Sequence, residues 1–461
     1  MKRDLSGFEF WELCLHKSRL MVAPMVDQSE LPWRLLSRRH GAELCYTPML
    51  HANVFVKDST YRRDNLHTCP TDTPLMIQFC ANDPVHLAAA AEMCSNLCTG
   101  VDLNLGCPQA IARRGYYGAF LQDDWPLIER LVQSVALTDV PITTKIRIFP
   151  DLQKTVQYAK MIEKAGSKIL TVHGRTREQK GPATGLANWE YVRAIKNAVS
   201  IPVFCNGNIQ YGRDVDRCFA ETGADGVMVA EGNLCNPYLF EYKQPPCWIP
   251  ALEYLDIVSE YPTGNSSIRG HLFKLCHKSL LVHINIRERL AKASSLAEFR
   301  SIMEDLRTAC QPNYDQYMER NLSEDVSGDI PYWLCQPYVR PPPTDNSSRK
   351  RNVDDLDVDE NSETKKSNLV EGNDEAGLSK KKQKKLNRNP RKSFSTADKK
   401  VFTMCACLNP ISLRCDHSSC KKCCKKMCIR DLLNCEGHKL WFRNIHERNL
   451  HKVQADDSPI A

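Results

Sequence analysis

The sequence lacks any apolar run that approaches the ~20 residues needed to cross a membrane, so a membrane-spanning protein is not expected. Its first residues, MKRDLSGFEFWELC, also lack the apolar stretch and small-residue cleavage site of a secretory signal. We therefore expect an intracellular protein, in the nucleus, the cytoplasm or both, with reduced thiols. Of the 22 cysteines, eight lie between Cys405 and Cys435, which indicates a metal-binding cluster and not a disulfide framework.

Charge is distributed unevenly along the 461 residues. Residues 352–376 hold nine Asp or Glu and two Lys, a net charge of −7, whereas residues 380–454 hold 20 Lys or Arg and five Asp or Glu, a net charge of +15. A basic region of this kind favours a polyanionic partner. Within it, the run KKKQKK at 380–385 is typical of a nuclear-import signal or a flexible RNA-binding tail, and a merely solvated linker is the alternative.

Eight short apolar runs recur over residues 1–243. They begin near residues 20, 44, 74, 101, 142, 168, 202 and 226, and the gaps between them leave room for a helix after each run. This rhythm predicts an α/β fold, a (β/α)8 TIM barrel. A doubly wound open sheet is the alternative, but no GxGxxG motif follows the first run.

The pattern changes after the predicted barrel. Helical spacing over residues 244–340 predicts a small helical domain. Residues 341–402 are polar, charged and poor in aromatic residues, which indicates a disordered linker. A Cys/His-rich module follows over residues 403–446, and residues 447–461 form a tail.

Polar residues are concentrated where the predicted strands end, and in a barrel these carboxyl ends form the active face. A single cysteine, lysine or histidine is most often structural. Buried polar groups without a partner cost ~1–3 kcal/mol each, however, so a whole set at one end of the barrel indicates a ligand. The set is Pro24, Met25, Gln78, Asn104, Cys107, Lys145, Arg147, His173, Asn206, Gly207, Asn208 and Gly232.

The residue types in this set suit a flat, phosphorylated ligand. The last two strand ends, NGN at 206–208 and AEG at 230–232, are small and favour a phosphate group. Lys145 would place positive charge beside an anionic ring, and amide and imidazole groups would hydrogen-bond to a heterocycle. We therefore expect flavin mononucleotide (FMN) across the barrel mouth.

Nine motifs within residues ~18–340 resemble those of the dihydrouridine synthase family, most closely its eukaryotic branch that modifies D-loop uridines at positions 16 and 17. The resemblance implies an FMN barrel followed by a helical tRNA-binding domain. It also implies reduction of uridine in tRNA to 5,6-dihydrouridine with NADPH or NADH, and no DNA partner. The motifs are APMVDQS, TPM, PLMIQF, DLNLGCPQ, GYYGAFL, KIRI, VHGRTREQ, VFCNGNI and GVMVAEGNLCNPYLF.

The same resemblance implies roles for single residues. Cys107 would be the proton donor, and Asn104, Arg147 and Arg175 would lie on the substrate side. Many members have Gly-Arg at the last strand end, whereas this chain has Glu231-Gly232-Asn233, and an ionised Glu231 cannot donate a hydrogen bond to a phosphate. FMN contacts would come from Pro24, Met25, Gln78, Lys145, His173, Asn206, Gly207, Asn208, Ala230, Glu231 and Gly232.

The reaction itself requires an acid. A hydride added at C6 of uracil leaves negative charge at C4–C5, so C5 must receive a proton from the opposite face of the ring. A thiol is largely protonated at neutral pH and suits this role, and Pro108 would fix the loop that carries Cys107. Loop residues Arg113, Arg114, Arg175, Arg177 and Lys180 are expected to hold RNA phosphates or to be solvated charges.

Two other functions compete with this interpretation. One is an FMN oxidoreductase that acts on a small pyrimidine, although such a substrate needs neither a helical domain nor a basic C-terminal region. The other is a degenerate barrel that serves as an RNA-binding protein, which the Glu231 departure leaves open.

The Cys and His residues of the C-terminal module predict bound zinc. Eight or more ligands within 34 residues would fill two tetrahedral sites, and so short a segment would not fold around its own apolar core. The interleaved lysines favour contact with RNA, and contact with a protein is the alternative. Cys424 and Cys428 are also available as ligands. The predicted ligands are Cys405, Cys407, Cys415, His417, Cys420, Cys423, Cys435 and His438.

Overall fold

The computed structural model describes residues 4–321, 330–338, 405, 407, 411 and 414–442. The chain divides into two compact units, residues 1–364 and 365–461. The predicted linker, the KKKQKK run and the predicted tail all lie outside the described residues, and the predicted domain boundaries stay predictions. No helix among the described residues is long and apolar enough to span a bilayer.

The first unit contains a closed ring of parallel strands. The order around the ring is β1-β2-β4-β5-β6-β7-β8-β9, and β9 pairs with β1 to close it, while the short β3 pairs with the end of β4. All eight apolar runs form strands of this ring, so the predicted TIM barrel is confirmed. The strands are β1 (Leu20–Val22), β2 (Leu44–Tyr46), β3 (Leu50–His51), β4 (Leu75–Cys80), β5 (Gly100–Leu105), β6 (Ile142–Arg147), β7 (Leu170–His173), β8 (Val203–Asn206) and β9 (Gly226–Val229).

Helices follow the strands, and several begin at an Asp side chain. Asp83, Asp124 and Asp151 each accept hydrogen bonds from amides of the following first turn, which have no partner within the helix. The barrel helices are α1 (Gly7–Glu9), α2 (Leu31–Arg39), α3 (Ala52–Lys57), α4 (Ser59–Asn65), α5 (Pro84–Met93), α6 (Ala110–Gly115), α7 (Trp125–Ala136), α8 (Leu152–Lys164), α9 (Trp189–Lys196), α10 (Gly212–Thr222) and α11 (Glu231–Cys235). Shorter turns are the π-helix Phe10–Cys14 and the 3-10 helices Gly118–Leu121, Gly181–Ala183 and Pro237–Glu241.

Strand parity decides which side chains enter the barrel. Val101, Leu103 and Leu105 of β5 belong to the apolar core shared with α7. Because side chains alternate along a strand, Asp102 and Asn104 lie on the opposite side, inside the barrel. The same alternation puts Lys145 and Arg147 of β6 inside, since Ile142 and Ile146 lie in the outer core.

The amino-terminal end of the barrel is filled with apolar side chains. Phe10 and Leu15 pack there against Met21, Tyr46 and Phe204, and all five are fully buried. This plug leaves the carboxyl end as the face on which a site is built.

A helical bundle follows the barrel and packs against α2. A buried polar cluster joins the two: His271 stacks on Trp33 with 4.0 Å between ring centroids, and its Nε2 lies 2.9 Å from Glu30 Oε1, which also accepts from the hydroxyl of Tyr254. Burial raises the pKa of Glu30, but His271 and Tyr254 outweigh it and hold that pKa below its usual value. The bundle helices are α12 (Trp248–Glu260), α13 (Asn265–Leu275), α14 (Ser279–Val282), α15 (Ile284–Lys292) and α16 (Leu296–Asn321).

A buried ion pair fixes α2 to the barrel. The Arg34 guanidinium donates to Asp72 Oδ2 from Nε at 3.0 Å and from Nη2 at 2.7 Å, and Arg34 and Asp72 are 1% and 2% exposed. Arg38 donates to Asp72 Oδ1 at 3.1 Å. With both oxygens paired, the carboxylate is compensated although it lies out of water.

The second unit contains helix α17 (Lys421–Arg430) and a short antiparallel hairpin of β10 (Asn434–Cys435) and β11 (Leu440–Trp441). Its buried cluster consists of Cys424, Cys428 and Cys435, with Leu433, Leu440 and Phe442 packed against them. Among the described residues, thiols therefore take the place of an ordinary apolar core.

Candidate active site and metal centre

The predicted strand-end residues of β5 to β8 meet at one edge of the ring. In the strand register, Asn104 lies opposite Lys145, Arg147 opposite His173, and His173 opposite Asn206. Lys145, Arg147 and Asn206 are each less than a tenth exposed. The carboxyl end of the barrel thus gathers the polar groups that the sequence placed there.

A chain of hydrogen bonds runs from the barrel interior to the loop after β5. Asp102 Oδ1 accepts from the hydroxyl of Thr143 at 2.7 Å, and Oδ2 accepts from Gln78 Nε2 at 2.8 Å. Gln78 Oε1 then accepts from Asn104 Nδ2 at 2.8 Å. Asn104 Oδ1 in turn accepts the amide of Cys107 at 2.8 Å and the preceding amide at 3.1 Å. Because an ionised carboxylate only accepts, Asp102 sets the orientation of both amide side chains and so of the Cys107 loop.

Asp102 is 1% exposed, and burial raises the pKa of its carboxyl from 3.8 to about 6. The hydrogen bonds from Gln78 and Thr143 and the charge of Lys145 lower this pKa and keep the rise in check. The carboxylate is therefore ionised at neutral pH and remains close to titration.

Neighbouring backbone holds Cys107 tightly. The amide of Ala119 donates to the carbonyl of Cys107 at 3.0 Å. Gly118 has φ +63°, and a Cβ built there would lie 2.8 Å from that carbonyl and 3.0 Å from Cys107 Cβ. Only glycine fits this position, because both the left-handed conformation and the close approach exclude a side chain. The Cys107 side chain is half-buried.

Arg147 ties two loops together at the site. Its guanidinium donates to the carbonyl of Gly106 at 2.8 Å and to the carbonyls of Thr176 at 2.8 Å and Gln179 at 3.2 Å. Burial, and then the charge of Arg175, lower its pKa to about 10. Its observed contacts are thus with the loops after β5 and β7, which it holds beside each other.

Positive charge dominates the mouth of the barrel. Burial, and then the charge of Arg147, lower the pKa of Lys145 to about 8. Burial, followed by the charges of Lys145, Arg147 and Arg175, depresses the pKa of His173 far below its usual value, so His173 is neutral. Arg175 Nη1 lies 2.9 Å from His173 Nε2. Since the guanidinium can only donate, this nitrogen accepts and the ring proton sits on Nδ1.

The ends of β8 and β9 are built from tight backbone. Gly207 and Asn208 have φ of +113° and +65°, and Asn208 Oδ1 accepts from Arg175 Nη2 at 3.1 Å. A Cβ on Gly232 would lie 2.4 Å from the carbonyl oxygen of Ile209, so glycine allows α11 to approach the loop after β8. Glu231 is exposed, and Pro24, Met25 and Ala230 are half-buried at neighbouring strand ends.

The donor set fits an FMN group. The Lys145 ammonium has three N–H groups, and the described contact uses one of them, to Asn206 Oδ1 at 2.8 Å. A buried ammonium with remaining donors favours an anionic or carbonyl-bearing ligand. Gln78, Asn206 and the backbone after β8 would supply further hydrogen bonds.

The loop residues predicted to hold RNA phosphates differ in their surroundings. Arg113 and Arg114 are exposed on the last turn of α6. Arg177 pairs with Asp123 at 2.9 Å, and Lys180 donates to the carbonyl of Pro108 at 3.0 Å. Arg113 and Arg114 therefore offer charge to solvent, whereas the other two support the loops.

Sequence reasoning missed several residues of the site. Asp102 was not selected, although it lies two positions before Asn104 in an apolar strand, and this parity was the available signal. His51 and Tyr117 were also missed; they pack edge to face at 5.6 Å beside the loop that holds Cys107. His51 Nδ1 is buried without a hydrogen-bond partner among the described residues, and burial lowers the pKa of this histidine.

In the C-terminal unit the structure forms two groups of four ligand atoms, with each group's atoms within 4.8 Å of one another. The four-cysteine group matches predicted ligands throughout. The second group has three predicted ligands plus Cys424, while His417 lies in an overlapping group of three with Cys424 and Cys428. The groups of four are Cys405, Cys407, Cys420 and Cys423, and Cys415, Cys424, Cys435 and His438.

Comparison with known proteins adds to this geometry. A family model described as dihydrouridine synthase matches residues 21–325. A Mus musculus protein named tRNA-dihydrouridine(16/17) synthase (NAD(P)(+))-like is 49% identical over 97% of this chain and 93% of its own length. Proteins named tRNA-dihydrouridine(16/17) synthase (NAD(P)(+)) are 43% identical in Schizosaccharomyces pombe and 42% in Saccharomyces cerevisiae. Each match covers 74% of this chain. They cover 92% of the Schizosaccharomyces pombe protein and 88% of the Saccharomyces cerevisiae protein.

Proposed function

The chain belongs to the dihydrouridine synthase family, whose members reduce uridines of tRNA to dihydrouridine, and from this premise we propose that it reduces uridines 16 and 17 of tRNA with FMN and NADPH or NADH. The observation that carries the proposal is the match to relatives named for positions 16 and 17, which spans 97% of this chain in the mouse protein. The chain covers 93% of that relative, so the likeness extends beyond the barrel.

The chain's own residues would perform the protein side of the reaction. When bound, reduced FMN supplies the hydride for C6 of the uracil ring. Cys107 holds the proton that C5 receives, so the C5–C6 double bond gains one hydride and one proton. The thiolate left behind is reprotonated from solvent, and Asn104 keeps the loop in place through the amide of Cys107.

The positive groups at the mouth have separate tasks. Lys145 would bind the flavin with its remaining N–H donors, and Asn206 orients the ammonium. Neutral His173, held by Arg175, would present its Nδ1 proton as a hydrogen-bond donor. The target uridine must leave the folded tRNA to reach this mouth, and exposed Arg113 and Arg114 would bind the surrounding phosphates.

For the C-terminal module we propose structural Zn2+, because thiols replace an apolar core in its described part. Exposed lysines on α17 then give the folded module a basic surface suited to RNA. Zinc would act by holding this surface in shape and would take no part in the reduction.

The central test is anaerobic. Purified protein carrying flavin is reduced with NADPH and mixed with unmodified tRNA, and the return of oxidised-flavin absorbance is followed. We expect reoxidation by tRNA but not by free uridine, and dihydrouridine at positions 16 and 17 of the product. The matched control is the same tRNA transcript with cytidine at both positions. Equal reoxidation by this control would overturn the proposed positions, and a protein that never takes up flavin would overturn the cofactor.

A further inference from the structure

The structure assigns two Zn2+ ions to the C-terminal unit, held in ligand sets that alternate along the chain; this rests on the structural zinc proposed above. The first set is Cys405, Cys407, Cys420 and Cys423, and the second set is Cys415, Cys424, Cys435 and His438.

Distances within the sets match tetrahedral zinc. With Zn–S bonds of about 2.3 Å, two sulfur ligands of one ion lie about 3.8 Å apart. The Sγ atoms of Cys407 and Cys420 are 3.3 Å apart, and those of Cys415 and Cys435 are 4.0 Å apart. His438 Nδ1 lies 3.6 Å from Cys435 Sγ. None of these described cysteines forms a disulfide, so the close sulfur contacts have another cause.

His417 and Cys428 are left outside both sets because, with Cys424, they complete a group of only three ligand atoms. His417 Nε2 lies 2.8 Å from the carbonyl oxygen of Asn434, to which it donates, so it supports the strand that carries Cys435. Cys428 lies one helical turn after Cys424 and is fully buried in the small core. Together with Cys424 they would provide only three ligands, whereas each set provides four.

Ligands of the two sets alternate along the chain up to the first turn of α17. Cys423 and Cys424 are consecutive residues of α17 but belong to different sets. Cys415 of the second set lies in the chain between Cys407 and Cys420 of the first. The two ions therefore do not bind separate segments of the chain. Each ion would fix backbone that also carries ligands of the other ion.

Charge also supports two ions. A zinc ion with four thiolates carries −2, and one with three thiolates and a neutral imidazole carries −1. Four exposed lysines lie on α17, the helix that carries Cys423 and Cys424, and their positive charge would offset that negative charge: Lys421, Lys422, Lys425 and Lys426. A module without metal would instead hold eight packed ligands with no ion to organise them.

The experiment measures zinc per chain in the full-length protein by elemental analysis and native mass spectrometry. We expect two ions in the wild type and fewer than two in Cys420→Ala and in Cys435→Ala. Cys428→Ala and His417→Ala are the matched controls and should retain two. One ion in the wild type, or loss of zinc in either control, would overturn the assignment. No zinc at all would also overturn the structural-zinc proposal, while flavin content and tRNA reduction test the enzyme separately.

A second measurement identifies the histidine ligand after exchange of zinc for Co2+. Co2+ absorbs visible light in tetrahedral thiolate sites, and its band moves to longer wavelength as sulfur replaces nitrogen among the ligands. His438→Cys should retain two ions and shift the band, whereas His417→Cys should leave it unchanged. The opposite pattern would place His417 in the second set.

Discussion

Replacement of Asp102 by asparagine tests whether one buried carboxylate controls both stability and the loop that carries Cys107. Asparagine keeps the shape of the side chain and removes its charge. Its oxygen would still accept from Gln78 Nε2, and its amide would donate to Thr143, whose hydroxyl would rotate to accept. The hydrogen-bond chain would therefore survive, while the cost of burying a charge would disappear.

The size of the effect follows from the pKa of Asp102. A rise from 3.8 to about 6 means that ionisation lowers the free energy of unfolding by about 3 kcal/mol, at about 1.4 kcal/mol for each tenfold change. Between these two pH values the native state binds more protons than the unfolded state, so wild-type stability falls as pH rises. The advantage of Asp102→Asn should then be about 3 kcal/mol at pH 8 and about 1 kcal/mol at pH 4.5.

The assay is urea unfolding of wild type and Asp102→Asn at both pH values, with equal flavin content. Thr143→Val is the control, because it removes a donor to the carboxylate and should destabilise the protein more at pH 8 than at pH 4.5. The turnover rate of Asp102→Asn should stay within about tenfold of the wild-type rate. Asp102→Leu leaves Gln78 Nε2 without an acceptor, and its turnover rate should fall about 10- to 100-fold. A pH-independent difference between wild type and Asp102→Asn would refute the reasoning.

Three further predictions concern the loop, its packing and the fold. Cys107→Ala should lower tRNA-dependent turnover about 10²- to 10⁴-fold and leave reduction by NADPH unchanged, measured by anaerobic stopped flow; a wild-type rate would exclude Cys107 as the acid. Gly118→Ala should push against Cys107 and lower turnover on the order of 100-fold. Gly223→Ala has a similar φ of +64° in open space and should cost only about 1 kcal/mol of stability, so equal turnover losses would contradict the packing argument. Arg34→Met should lower the free energy of unfolding by about 3 kcal/mol because Asp72 stays buried, and a loss below about 1 kcal/mol in urea unfolding would contradict this.

The repeat of apolar runs was sufficient to predict the barrel, because each run must be buried between a sheet neighbour and a helix. The break between β2 and β3 was not predictable, since a two-residue strand leaves no periodic pattern. The packing of Phe10 and Leu15 into the amino-terminal end of the barrel was not predictable either. Both residues lie before the first strand, and only the closed barrel creates the cavity that they fill.

The site was also predictable only in part. Polar residues at strand ends predicted where the site lies, because the carboxyl ends of parallel strands share one face. Partners across the barrel were not predictable. Arg147 donates to three carbonyl groups in two loops, and Asp102 is linked to Asn104 through Gln78 of another strand. In the C-terminal module, spacing predicted zinc ligands, but it did not predict that Cys424 groups with Cys415, Cys435 and His438 while His417 lies outside that group.

The sequence by itself determined the strand rhythm, the placement of Cys107 after a buried strand, and the wealth of thiols near the C-terminus, since each depends on residue type and spacing along the chain. The tertiary structure decided which groups face one another. Ring closure and register bring Lys145 to Asn206 and Arg147 beside His173, and this proximity, together with burial, sets the protonation of Lys145 and His173. Electrostatic energy depends on distance and dielectric surroundings in space, and neither is a property of local sequence.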